Sequence, residues 1–83
     1  MFYYTVSRNA DDKAYKKACE QLEALEGVKK IREVYHKRSG FLTAYEKNGK
    51  YITVENDFIS NTVKVTSEED ISNSIDFIVF LKK

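Results

Sequence analysis

No proline interrupts the 83 residues, and only one cysteine, one histidine and three glycines occur among them. Each shortage removes a class of protein. Without proline, an internal repeat or a low-complexity linker, nothing divides the chain, and its length suits one core, so residues 1–83 read as a single domain. A lone Cys19 cannot form an intrachain disulfide, which fits a reducing compartment. Cys19 with His36, the sole histidine, cannot assemble a zinc-type ligand set, and no metal or cofactor is expected. Gly27, Gly40 and Gly49 stand far apart, so no glycine-rich loop cradles phosphate. The longest late apolar run, Phe77 to Leu81, is too short to span a bilayer. With no basic start leading into an apolar stretch, the chain reads as a cytoplasmic protein without membrane contact.

What is present is enough for a core: 42% of residues are hydrophobic and 13% aromatic, which excludes disorder. Net charge is only +1, but it is distributed unevenly. Residues 28–38 carry five cations against Glu33, a surplus of four, and residues 55–76 carry six anions against Lys64, an excess of five. Such two-signed segments can pair between copies.

Met1 to Val6 is rich in aromatic and β-branched residues and reads as a central strand with Phe2, Tyr4 and Val6 on one face. Ser7 or Asn9 then caps a helix with Asp11 and Asp12 in its first turn, a stripe of Tyr15, Ala18, Leu22 and Leu25 with Cys19 beside it, and Gly27 as its stop. Three strands follow, at 28–37, 41–47 and 50–56. The Asn48-Gly49 turn sets the last two in register, Lys47 opposite Lys50, Tyr45 opposite Ile52 and Thr43 opposite Val54. Phe41, Thr43, Tyr45, Ile52 and Val54 then share the dry face, and Leu42, Ala44, Glu46, Tyr51, Thr53 and Glu55 the wet one. The strand before them has two registers: a Ser39-Gly40 loop buries Val34 and His36, an Arg38-Ser39-Gly40 loop Ile31 and Tyr35. Phe58 and Ile59 are expected at the core edge and Thr62 to Thr66 as another strand. Ser67 and Asp70 have the spacing of a capping box, which predicts a helix from residue 68 to about 81 on Ile71, Ile75, Ile78 and Leu81. The expected fold class is α+β, a small domain with an antiparallel meander of four to five strands packed by two helices in the order β-α-β-β-β-β-α. If Phe77 to Leu81 is a strand instead, the pattern moves toward a ferredoxin-like split βαβ arrangement with an inserted hairpin.

No catalytic grouping emerges. Glu68, Glu69 and Asp70 suit a helix N-terminus, and Glu55 with Asp57 lacks the spacing of a hard-cation loop. The constellation that remains is the basic strand and its turn, Lys29, Lys30, Arg32, Tyr35, Lys37 and Arg38, with Leu42 and Tyr51 across the sheet as apolar anchors. Two functions use it. The first is a non-enzymatic protein-interaction module of inhibitor or regulator type that covers a surface of a larger protein partner. The second is an RNA or single-stranded nucleic-acid-binding module working through residues 29–38, where cations meet phosphates and rings stack on bases. Lysines on an edge strand also have a plain use, discouraging sheet-to-sheet aggregation. In size and make-up the chain looks like small inhibitors and regulators of phages and mobile elements, including anti-defence proteins of the anti-CRISPR kind. That is a likeness of class, carried by no motif. An open sheet edge adds a homodimer to the expected assemblies.

Overall fold

The computed structural model describes residues 1–71 together with Phe80 and Leu81. Its elements are β1 (Phe2–Ser7), α1 (Asp12–Glu23), β2 (Val28–His36), β3 (Gly40–Lys47), β4 (Lys50–Asp57), β5 (Thr62–Ser67) and β6 (Phe80–Leu81). All neighbouring strands are antiparallel, in the order β2-β3-β4-β5-β1-β6. The α+β class is therefore as expected, with five full strands, one two-residue strand at the β1 edge and one helix among the described residues.

Alternation along the strands builds the core. Tyr45, Ile52, Val54, Val63, Val65, Tyr4 and Val6 are buried on one face, and α1 lays Ala18 and Leu22 onto it. The β3–β4 hairpin has the register expected from its turn, with Lys47 opposite Lys50, Tyr45 opposite Ile52 and Thr43 opposite Val54. Asn48 and Gly49 both have positive φ, 53° and 79°, which is the backbone a two-residue hairpin turn requires. As expected, β1 is interior, between β5 and β6.

The helix starts later than the sequence suggests. Asp11 is the cap, its carboxylate accepting from the Lys13 and Ala14 amides at 2.9 and 3.3 Å. Ser7 and Asn9 serve the preceding loop instead. The Ser7 hydroxyl exchanges hydrogen bonds with the Asn9 backbone, and Asn9 accepts from the Asn61 side chain.

The expected second helix does not begin at Glu68. Its expected first residue is taken up by the sheet: the Glu68 amide donates to the Tyr51 carbonyl, and the Glu68 carboxylate accepts from the Tyr51 amide at 2.6 Å. Ser67 closes a local turn with Glu69. Tyr4 donates its hydroxyl to Asp70 and accepts from the Ile71 amide, which seats Ile71 in the core. Ile75, Ile78 and most of the apolar run at 77–81 lie outside the described residues, while Phe80–Leu81 pairs with β1. Phe80–Leu81 is a strand beside β1, and the β3–β4 hairpin stands between β5 and β2, which is the strand order of the ferredoxin-like variant with an inserted hairpin; the second helix of that variant lies outside the described residues. Phe58 packs edge-on to Phe41 at 5.9 Å, whereas Ile59 is 78% exposed. Asp57 explains this by accepting from the Ile59 and Ser60 amides, which turns Ile59 outward.

Neither expected register of β2 is the observed one. His36 pairs with Gly40 across a three-residue loop, Lys37 to Ser39, and Tyr35 pairs with Phe41. A bulge at Ile31 then shifts the strand, so that Arg32 faces Ala44 but Lys30 faces Tyr45. Ile31, the extra residue, is exposed, and so are Val34, Tyr35 and His36.

Gly40 is where backbones approach most closely. Its φ is +114°, and a Cβ built there would lie 1.9 Å from the Asn56 carbonyl oxygen. Gly27 also has positive φ, +83°, but open space around it. Gly40→Ala should lower stability by more than about 2 kcal/mol, and Gly27→Ala by about 1 kcal/mol, measured as shifts of the denaturant midpoint. Equal midpoints for the two would remove the close-approach argument.

Candidate functional site

Sheet alternation divides the residues that the sequence places together. Lys29, Arg32 and Val34 on β2 stand on the face away from α1, in line with Leu42, Ala44 and Glu46 on β3 and with Tyr51, Thr53 and Glu55 on β4. Lys30 and Tyr35 stand on the opposite face, beside the helix. Lys37 and Arg38 sit in the exposed β2–β3 turn. The structure thus brings Lys29, Arg32, Leu42 and Tyr51 together and separates Lys30, Tyr35, Lys37 and Arg38 from them.

On the outer face, a row runs straight across five strands: Arg32, Ala44, Thr53, Thr66 and Tyr3. Its middle members are small, and taller side chains flank them, notably Tyr51 and Leu42. Tyr3 and Tyr51 are 54% and 51% exposed. A shallow depression of about 320 Å³ lies among Met1, Tyr51, Thr53, Thr66 and Glu68. Around these residues the charges alternate, Lys29, Arg32 and Lys64 against Glu46, Glu55 and Asp57, with Lys64 and Asp57 paired at 3.3 Å. The Asp57 carboxyl is held below its ordinary value first by the Ser60 amide it accepts from. Tyr3, Thr53 and Thr66 were not singled out from the sequence. The parity of Thr53 with Tyr51 and Glu55 was visible, but the pairing of β5 with β4 and β1 was not.

The inner face opens between α1 and the β2–β3 edge into a groove of about 490 Å³. Tyr15, Phe41 and Tyr35 line it as a strip of rings, with centroids 5.6 and 4.5 Å apart. At its floor Tyr15 and Thr43 share a hydroxyl hydrogen bond, and Tyr45 donates to Glu23 Oε2 at 2.7 Å. Burial pushes the Tyr15 phenol up to about 12. Tyr45 rises well above its ordinary value, mainly by burial and then by its bond to Glu23. Lys30 ends 3.6 Å from Glu23 and 3.7 Å from Glu33. Lys30, expected among the partner-binding cations, is thus an ion-pair partner on the inner face.

Cys19 and His36 are engaged separately. Cys19 lies on the groove's helix wall, while His36 Nδ1 accepts from the Arg38 amide within the β2–β3 turn. Among the described residues, no group of three His, Cys, Asp or Glu side chains is placed to hold a metal ion. No described helix is long and apolar enough to cross a membrane. No protein-family model, curated protein or solved structure matches the chain.

Half-burial raises the Cys19 thiol, first through desolvation. A thiol that keeps its proton longer when folded contributes stability that is complete below the unfolded value of about 8.5 and is lost as pH rises through the folded one. Alkylation of Cys19 by iodoacetamide at about pH 8 should run at least about tenfold slower in the native protein than in the unfolded chain. Equal rates would show an exposed, activated thiol.

Proposed function

We propose that this protein is a non-enzymatic interaction module of inhibitor or regulator type that docks a larger protein on the outer face of its sheet. The observation that carries this reading is the row Arg32, Ala44, Thr53, Thr66 and Tyr3, a low strip between half-exposed tyrosines. Tyrosine and arginine are the side chains that most often dominate binding energy, and they do so around a packed centre with a charged rim. α1, the one helix among the described residues, covers the other face and leaves this one to solvent.

Charge favours protein over nucleic acid as the partner. A strand of RNA calls for a groove of one sign that follows its phosphates. Here three cations alternate with three anions, and Lys30 is neutralised on the opposite face by Glu23 and Glu33. Surface docking is also better supported than strand addition at β2, because the Ile31 bulge interrupts that edge and Lys29 and Arg32 flank it. The charges on the rim would set orientation and rate of encounter, and the tyrosines the lifetime of the complex.

The test is affinity capture from the source organism with wild type, a Tyr3→Ala/Tyr51→Ala double variant and a Lys37→Ala/Arg38→Ala turn variant. Affinity for the captured protein should fall at least about tenfold in the tyrosine variant and stay within about twofold in the turn variant. A single-stranded oligonucleotide titrated alongside should bind weakly in every case. Tight oligonucleotide binding that weakens steeply with salt, or capture indifferent to Tyr3 and Tyr51, would overturn the proposal.

A further inference from the structure

The groove on the inner face is separate from the docking surface, and its chemistry is different. Three features coincide there. Its volume, about 490 Å³, is within the range of small-molecule sites, which runs from about 300 to 1,000 Å³. One wall is the ring strip Tyr15, Phe41 and Tyr35, whose faces attract cations as well as apolar groups. Carboxylates of Glu20, Glu23 and Glu33 outnumber the ammonium groups of Lys16 and Lys30 along its lining.

Lys30 indicates what the carboxylates accept. Its ammonium sits between Glu23 and Glu33, on a side chain that leaves β2 at the groove's rim and is 45% exposed. An exposed pair of this kind is worth little, about 0 to 1 kcal/mol, so the side chain can leave for water at small cost. The contacts from Tyr45 and from Lys30 both fall on Glu23 Oε2, so that among the described residues Oε1 is the oxygen left to accept from a further donor.

We infer that the groove binds a small organic cation, a primary ammonium carried on an aryl or short apolar stem, with Lys30 as the internal occupant that the ligand's ammonium displaces. The stem lies along Phe41 and Tyr15, and the ammonium donates to Glu23 and Glu33. Tyr45 is a positioning residue: its hydroxyl holds the Glu23 carboxylate at the end of the ring strip.

This is tested with phenethylammonium as the probe, and with 2-phenylethanol and phenylacetate as neutral and anionic analogues, followed by calorimetry and by the aromatic NMR signals. Phenethylammonium should bind wild type with Kd of about 0.1–1 mM, the alcohol at least about fivefold more weakly, and phenylacetate not measurably. Two exposed substitutions, which leave the core untouched, move affinity in opposite directions. Glu33→Gln should weaken the amine at least about threefold, and Lys30→Gln should tighten it about fivefold. Equal binding of amine and alcohol, or unchanged or weaker amine binding in Lys30→Gln, would overturn the inference. So would tighter binding of N-acetyl-lysinamide than of phenethylammonium, since that would assign the site to a lysine side chain of a protein.

Discussion

Helix α1 is held on the sheet by a polar clamp at each end, and both the groove and the open face depend on it. At the N-terminal end the buried Asn56 of β4 accepts from the Asp11 amide at 3.2 Å and donates to Asp12 at 2.9 Å. At the C-terminal end Tyr45 of β3 donates to Glu23, the last helical residue. Between the clamps Ala18 and Leu22 supply apolar contact but little direction. A carboxylate at a helix C-terminus opposes the dipole, and no basic residue in the last turn offsets it, so the Tyr45 hydroxyl gives Glu23 a structural reason to be there. Unpaired, either clamp would leave a buried polar group, at a cost of about 1–3 kcal/mol.

α1, the one helix among the described residues, cannot cover five full strands. Anchored at β3 and β4 it shields the middle of the inner face and stops short of β2, whose residues beyond Val28 are exposed. The uncovered corner is the groove, and the uncovered side is the outer face. Tyr45 joins the two consequences, since it fills the core with its ring and aims its hydroxyl at the groove's floor. The bulge at Ile31 matters for the same reason. It turns Lys30 inward, where it meets Glu23 and Glu33, and leaves Lys29 and Arg32 on the outer face.

Where local chemistry and tertiary pairing agree, the sequence is legible. Asn48-Gly49 admits one tight turn, and from it the pairing of Tyr45 with Ile52 and of Thr43 with Val54 follows by counting. The helix stripe is legible for the same reason, as one face of a regular period. Ser67 and Asp70 mislead because a capping pattern describes what a side chain can do locally, and here Tyr4 offers Asp70, and Tyr51 offers the intervening Glu68, partners from strands distant in sequence. The β2 register is not legible, because a bulge conserves no parity across itself and the Lys37-Arg38-Ser39 loop, one residue longer than Ser39-Gly40, lies one residue before Arg38-Ser39-Gly40. That bulge sends Lys30 to the face opposite Arg32, whose parity it shares, while plain alternation sets Tyr35 on the face opposite Arg32. Asn56 has the parity of Ile52 and Val54 and so was placeable on the dry face. Its role as a clamp required knowing where the helix begins.

Native-state amide exchange of Asn56→Ala against wild type tests the clamp most directly. The account predicts that α1 amides lose protection by about tenfold or more while the β3–β4 amides keep most of theirs, because the helix loosens from a sheet that still pairs. Unchanged protection of α1, or equal loss in helix and hairpin, would contradict it.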